Sequence, residues 1–197
     1  REIYSVRAEG SRRFLHAETK GASAQIGYEA KWPLGDYPVL RWQWRPIVFP
    51  SNTDERKKEG GDSVLGIYVV FGSWPFIKSL KYVWSDTLPL GTCCDSPFSK
   101  STKIIVVRSG RLGAGTWVTE VRDVLADYRR FFGDGDRNPD RLCRHDLFQE
   151  RRFPLCLGHR AADADPADGH VDPLHQDLQG EILMKTSLAL RLLRDVT

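Results

Sequence analysis

The chain has 197 residues, 41% hydrophobic and 28% charged, which fits one ordinary domain with a sizeable core. A formal charge of +3, spread along the chain, excludes the basic stripe of a nucleic-acid binder, and no apolar run approaches the roughly 20 residues of a membrane-spanning helix. Cys93, Cys94, Cys143 and Cys156 lack the two close pairs of a zinc site, so neither a metal nor a cofactor is expected.

The first elements are short strands. Ile3–Arg7 and Arg13–Glu18 flank a turn at Gly10-Ser11, and Gln25–Glu29 reads as a third. Two prolines and a glycine make Lys31–Pro38 a loop. The stretch around which the chain is organised follows, Leu40-Arg41-Trp42-Gln43-Trp44-Arg45. Strand side chains alternate between faces. Leu40, Trp42 and Trp44 therefore point one way, and Arg41, Gln43 and Arg45 the other. Burial favours the indoles over the guanidiniums, so the Trp side is predicted to be core. Pro46 removes a ladder donor, so the strand ends or bulges there.

Ser51–Gly61 is rich in charge and reads as a solvated hairpin loop. Asp62–Gly72 is apolar on both faces and is expected to be central in its sheet. Trp74-Pro75-Phe76 is a turn with exposed aromatics, and Ser79–Ser85 alternates again. Pro89–Ser101 reads as loop, and Lys103–Arg108 as a buried strand. Gly110, Gly113 and Gly115 lack phosphate-loop spacing and form a hairpin turn into Trp117–Val121. Asp123 caps a helix through Phe132, stopped by Gly133. About eight strands and one short helix near the end of the core predict an all-β fold, a β-sandwich of jelly-roll type.

Composition changes near residue 139. All the Trp and Tyr residues lie before it, and only Phe148 and Phe153 are aromatic after it. The expected organisation is a β-sandwich domain over 1–139 and an atypical tail over 140–197, poorly ordered or frame-shifted. Asp163–Asp168 imitates a calcium loop only superficially, because Pro166 interrupts it and Asp168 stands where glycine is required. His159, His170 and His175 are weighed as metal ligands against a disordered tail, which is the preferred reading. Glu181–Arg194 reads as one amphipathic helix, and Met184 resembles the start of another reading frame.

The order of motifs carries a family resemblance. Pro-Val-Leu-Arg-Trp-Gln-Trp-Arg (38–45) is followed by Asp62 before Ile67-Tyr68-Val69-Val70-Phe71, then by Lys81-Tyr82-Val83-Trp84-Ser85, Gly91 and Ser96-Pro97. Val106–Gly110, Trp117, Glu120–Val124 and Asp127–Gly133 complete the pattern. Over about residues 22–137 this resembles the uncharacterised bacterial domain-of-unknown-function family 3047. The resemblance implies a β-sandwich, often behind a secretion signal in Gram-negative bacteria, with no established activity. It also implies a late hydrophobic strand, an Asp-rich turn and a last strand, neither strand being visible after Pro139. A periplasmic or secreted location is the corresponding expectation, and the start at Arg1 without Met fits a leader either removed or never included.

The candidate site is the polar face of the organising strand: Arg41, Gln43 and Arg45, to which neighbouring strands could add Asp62, Lys81, Tyr82, Trp84, Arg108 and Glu120. Arg, Gln, Asp and Trp together supply donors, acceptors and a ring for a sugar, and Arg clamps carboxylates. The bland alternative is that Arg41, Arg45, Asp62 and Glu120 form salt bridges on a solvated face. Expected, therefore, is an envelope module recognising a glycan or another polar or anionic small molecule without catalysis. The alternatives are a carbohydrate-active enzyme using Asp62 and Glu120, and a structural envelope protein. His16, in an alternating strand, reads as a structural histidine.

Overall fold

In the computed structural model, residues 3–19, 26–27, 33–50, 53–59, 61–72, 74–134 and 178–184 are described. Nine strands and one helix occur among them: β1 Tyr4–Glu9, β2 Arg12–Thr19, β3 Val39–Val48, β4 Leu65–Phe71, β5 Lys78–Ser85, β6 Cys93–Ser96, β7 Ser99–Ser109, β8 Val118–Asp123, α1 Val124–Phe132 and β9 Leu178–Met184. They form a five-stranded sheet, β1-β2-β9-β3-β8, and a four-stranded sheet, β4-β5-β7-β6. The fold is all-β with one short helix. Its winding departs from an all-antiparallel jelly roll at one place, because β5 and β7 run parallel.

The two sheets share one core, and the organising strand β3 supplies its centre. Trp42 and Trp44 are 0% exposed. They meet edge to face at 5.4 Å, and each reaches the opposite sheet, Trp42 at 5.5 Å from Tyr82 and Trp44 at 5.9 Å from Trp84. Ile67, Val69 and Phe71 of β4 and Ile105 and Val107 of β7 fill the same layer. Alternation thus works as the residues dictate: the large apolar rings go inward and Arg41 stays exposed. Pro46 does not end β3; the register against β9 shifts between Pro46 and Val48, the bulge that a missing donor favours.

Helix α1 closes one end. Asp123 Oδ1 accepts from the Ala126 backbone N–H at 2.8 Å, and Gly133 adopts a left-handed φ of 77°, which a residue without Cβ takes without strain. Tyr128 packs on Phe71 at 4.8 Å and fastens the helix to β4.

Several expectations are corrected. β4 lies at an edge of its sheet, and β5 and β7 are central. Its apolar residues reflect burial on both faces, Val70 included, rather than two flanking strands. β6 occupies part of the stretch read as loop; Cys-Cys-Asp-Ser has no apolar alternation to announce it. Thr53–Glu59 is not a freely solvated loop: its Lys and Arg residues are exposed, but Thr53 and Glu55 are buried. The amphipathic helix expected from Glu181 is contradicted at its start, where β9 pairs antiparallel with both β2 and β3. A strand is therefore present after Pro139. The remainder of the tail, with Cys143, Cys156 and the three histidines, lies outside the described residues. So does most of the strand expected over Gln25–Glu29, and Ile26 and Gly27 belong to no strand.

Candidate functional site

The residues singled out from the sequence fall into several different environments. Arg41, Gln43 and Arg45 lie on the outer face of the five-stranded sheet. Glu120 and Arg108 meet between the sheets. Lys81 is on the outer face of the four-stranded sheet, and Asp62 is exposed in the segment leading into β4. They do not line one groove, because β3 and β8 belong to one sheet and β4, β5 and β7 to the other.

The outer face around β3 is partly roofed. Arg45, with only 15% of its side chain exposed, pairs with Glu9 Oε1 at 2.6 Å. Its guanidinium carbon lies 4.8 Å from the centre of the Trp117 ring and 5.6 Å from that of Phe14. Arg12 reaches the same indole at 5.2 Å, and Phe14 meets it edge on at 5.2 Å. The strands dictate this cluster. Pairing of Glu9 with Arg12 and of Arg7 with Phe14 sets β1 and β2 side by side, and Trp117 comes from the residue just before β8. Arg45, the first cause, holds the Glu9 carboxyl below the usual carboxylate range. Gln43 Nε2 donates to Thr119 Oγ1 at 2.7 Å, whereas its Oε1 is buried with no hydrogen-bond partner among the described residues. Arg41, opposite Val121, is exposed and has no ion pair among the described residues. The face thus presents one exposed guanidinium, Arg41, beside a Trp117 ring stacked with Arg12 and Arg45. His16, opposite Ser5, is buried nearby, with Glu18 Oε2 at 3.8 Å from Nε2.

Glu120 is engaged elsewhere. It stands opposite Trp42 and faces inward. Its Oε1 accepts from Trp44 Nε1 at 3.1 Å and from Arg108 Nε at 2.6 Å. That corrects its placement on a ligand face: the carboxylate ties the sheets together. Trp84 is corrected too. It is fully buried, with its N–H on the Gly110 carbonyl at 2.8 Å, so its ring is no platform. Tyr82 is likewise inside, donating to Asp127 Oδ2 at 2.8 Å, while Arg122 grips both oxygens of that carboxylate. Burial, then the Asp127 charge, push the Tyr82 phenol far above its ordinary range. Lys81 Nζ donates to Ser63 Oγ at 3.1 Å and lies over Tyr68. Asp62 has no ion pair among the described residues. The pairing of Asp62 with Glu120 as catalytic carboxylates finds no support in these contacts, since Glu120 is held by Trp44 and Arg108.

Sequence reasoning overlooked one buried acid. Glu55 is 0% exposed, accepts from Ser85 Oγ at 2.8 Å through Oε2, and leaves Oε1 buried without a partner among the described residues. Ser85 Oγ in turn accepts the Leu88 N–H at 3.0 Å. Burial pushes the Glu55 carboxyl above its ordinary value, and it pushes the neighbouring Cys94 thiol up as well. The run Asp54-Glu55-Arg56-Lys57-Lys58-Glu59 hid this, because charge alone cannot say which member turns inward. Cys93 and Cys94 are free thiols packed on opposite sides of their sheet. No cluster of three or more His, Cys, Asp or Glu that would hold a metal occurs among the described residues. No helix among them is long and apolar enough to cross a membrane.

These features define an all-β, two-sheet domain with a cation-and-aromatic cluster on the outside of one sheet. Residues 1–143 match the family described as Protein of unknown function (DUF3047). The chain belongs to that family. No curated protein and no solved structure matches it.

Proposed function

We propose that this protein is a non-catalytic recognition module of the cell envelope. Its ligand is a glycan or another polar, anionic small molecule, held on the outer face of the five-stranded sheet. The observation that carries the reading is the contrast along β3. Arg45 is committed to Glu9, Trp117 and Phe14, while Arg41 is open and Gln43 keeps a buried acceptor unsatisfied. A carboxylate or sulfate on a sugar matches the exposed Arg41 guanidinium. Trp117 is half-buried and already stacked with Arg12, so the ligand would lie beside the indole.

The experiment is a glycan array of neutral and acidic saccharides, followed by calorimetric titration of any that bind. Binding of an acidic saccharide that weakens at least tenfold in Arg41→Ala, with the thermal melt unchanged, is the expected result. Loss of a charged hydrogen bond of about 1.5–3 kcal/mol corresponds to such a factor. Binding that Arg41→Ala and Gln43→Ala leave untouched would place the ligand elsewhere. Release of shortened products from a polysaccharide would make the protein an enzyme instead.

A further inference from the structure

We infer that residues 53–59 form a strap that Glu55 latches over the outer face of the four-stranded sheet. Ionisation of the latch opens the strap and bares the Cys94 thiol. The strap lies on the other sheet from the cluster around β3. Its place follows from side-chain direction. On β5, Leu80, Tyr82 and Trp84 point into the shared core, so Lys81, Val83 and Ser85 point away from it. Val83, Ile104 and Val106 are nonetheless buried, packed with Leu88 and Cys94 in a second apolar cluster on that outer face. Cys94, Ile104, Lys81 and Tyr68 stand in one row across the sheet. Glu55 is set down on this face. Ser85 Oγ donates to its Oε2 at 2.8 Å, and its charge reaches both Lys81 and Cys94.

The strap is a small turn closed on itself. Asp54 Oδ1 accepts from the Arg56 backbone N–H at 3.1 Å and from its Nε at 2.8 Å, and the Lys57 N–H donates to the Asp54 carbonyl at 2.9 Å. Among the described residues, two side-chain hydrogen bonds fasten it to the end of β5: Ser85 to Glu55, and Thr87 Oγ1 to the Thr53 carbonyl at 2.5 Å. A segment so lightly fastened opens without the rest unfolding. Its latch responds to charge. Glu55 Oε1 is buried with no donor, so ionisation leaves a negative oxygen unsatisfied, and the neutral acid does not. Lys81 of β5, shared with Ser63 and Tyr68, favours that charge; Asp54, kept ionised by Arg56, opposes it. Burial outweighs both and holds the proton on Glu55 above the ordinary value of 4.5. The closed form thus binds the proton more tightly than the open one. Opening grows by up to about tenfold per pH unit from the ordinary value to the raised one. Burial and then the Glu55 charge push the Cys94 thiol up, and both causes leave with the strap.

The test is the rate at which N-ethylmaleimide labels the full chain from about pH 5 to about pH 8, with tandem mass spectrometry assigning the label to Cys93 or Cys94. Each rate is divided by that of Glu55→Gln at the same pH, which cancels the titration of the thiol itself. Expected is a Cys94 ratio near unity at the acid end that grows about tenfold or more by the alkaline end. Cys93, packed on the core side of β6, should keep a constant ratio. A Glu55 charge still in place would oppose the Cys94 thiolate and slow its labelling, so a rising ratio marks departure of the strap. Thr87→Val cuts the other fastening and should label Cys94 faster than the parent at every pH, which keeps the test intact if Glu55→Gln fails to fold. The proposal is overturned by a Cys94 ratio flat or falling with pH, by a Cys93 ratio that rises with it, or by Thr87→Val labelling no faster than the parent.

Discussion

Trp44 donates its indole N–H to Glu120 Oε1 across 3.1 Å, so a core ring of β3 and a carboxylate of β8 act as one unit. Arg108, from the other sheet, completes it at 2.6 Å. Removing the acceptor leaves a buried N–H without a partner and a cation without its counter-charge. Glu120→Ala is expected to lower stability by about 1.5–3 kcal/mol. Glu120→Gln keeps an oxygen for both donors and loses less. Urea unfolding of the two variants checks this. An equal loss in both would mean that charge, not acceptor geometry, holds the unit.

Trp42 and the arginines beside it separate core from surface. Trp42→Ala is expected to cost about 3–5 kcal/mol, the range for a buried large aromatic. Arg41→Ala should stay within about 0.5 kcal/mol of the parent, as an exposed residue with no ion pair among the described residues does. Arg45→Ala falls between, at about 1–2 kcal/mol, because a half-buried guanidinium stacked on Trp117 contributes packing as well as charge. The three melts measured together decide the order. An Arg45→Ala melt as low as that of Trp42→Ala would make Arg45 part of the core.

Glu55 gives the fold a dependence on pH. Its carboxyl, buried beside Ser85, binds a proton more tightly in the folded chain than in the unfolded one. More protons bound in the folded state means that stability falls as pH rises. The Glu55 contribution is complete below the ordinary value of 4.5 and is lost as pH climbs through the raised folded value. Denaturation of the parent and Glu55→Gln across pH 4 to 8 is expected to show a downward slope that the variant lacks. Parallel slopes would show that Glu55 is not the group responsible.

Gly72 tests whether the aromatic turn is rigid. A left-handed φ costs a residue with Cβ about 1–2 kcal/mol, and the 2.7 Å approach to the Phe76 carbonyl adds to it. Gly72→Ala should therefore destabilise by more than about 1 kcal/mol, whereas Gly10→Ala, at φ +58° with open space around it, should pay the conformational part alone. Thermal melts of both variants give the comparison.

Alternation made β3 legible: two indoles and two guanidiniums in strict succession leave one way to fold. The cap at Asp123 and the stop at Gly133 were equally legible, since each follows from local backbone chemistry. The sheet to which a strand belongs is not local. Arg41 and Lys81 were grouped as one face because both lie on alternating strands, yet their strands sit in different sheets. Glu120 showed the same gap: a charged residue in a strand reads as outward until Trp44 and Arg108 supply partners inside. β6 and β9 escaped notice because neither carries the apolar period that marks a half-buried strand.

The parallel pairing of β5 with β7 has a consequence for assembly. β4 and β5 form one hairpin and β6 and β7 another, each from neighbours in the chain. β7, made last of the four, lies between β5 and β6, so the segment after Ser85 must arch over a place that its own continuation fills later. Fastenings hold that arch down: Ser109 Oγ donates to the Leu88 carbonyl, and the Gly91 N–H to that of Val106. The four-stranded sheet is therefore two local units closed by a single long-range seam. Bringing β5 and β7 together closes a longer loop than either hairpin does, so more loop-closure entropy is spent before any seam contact is gained.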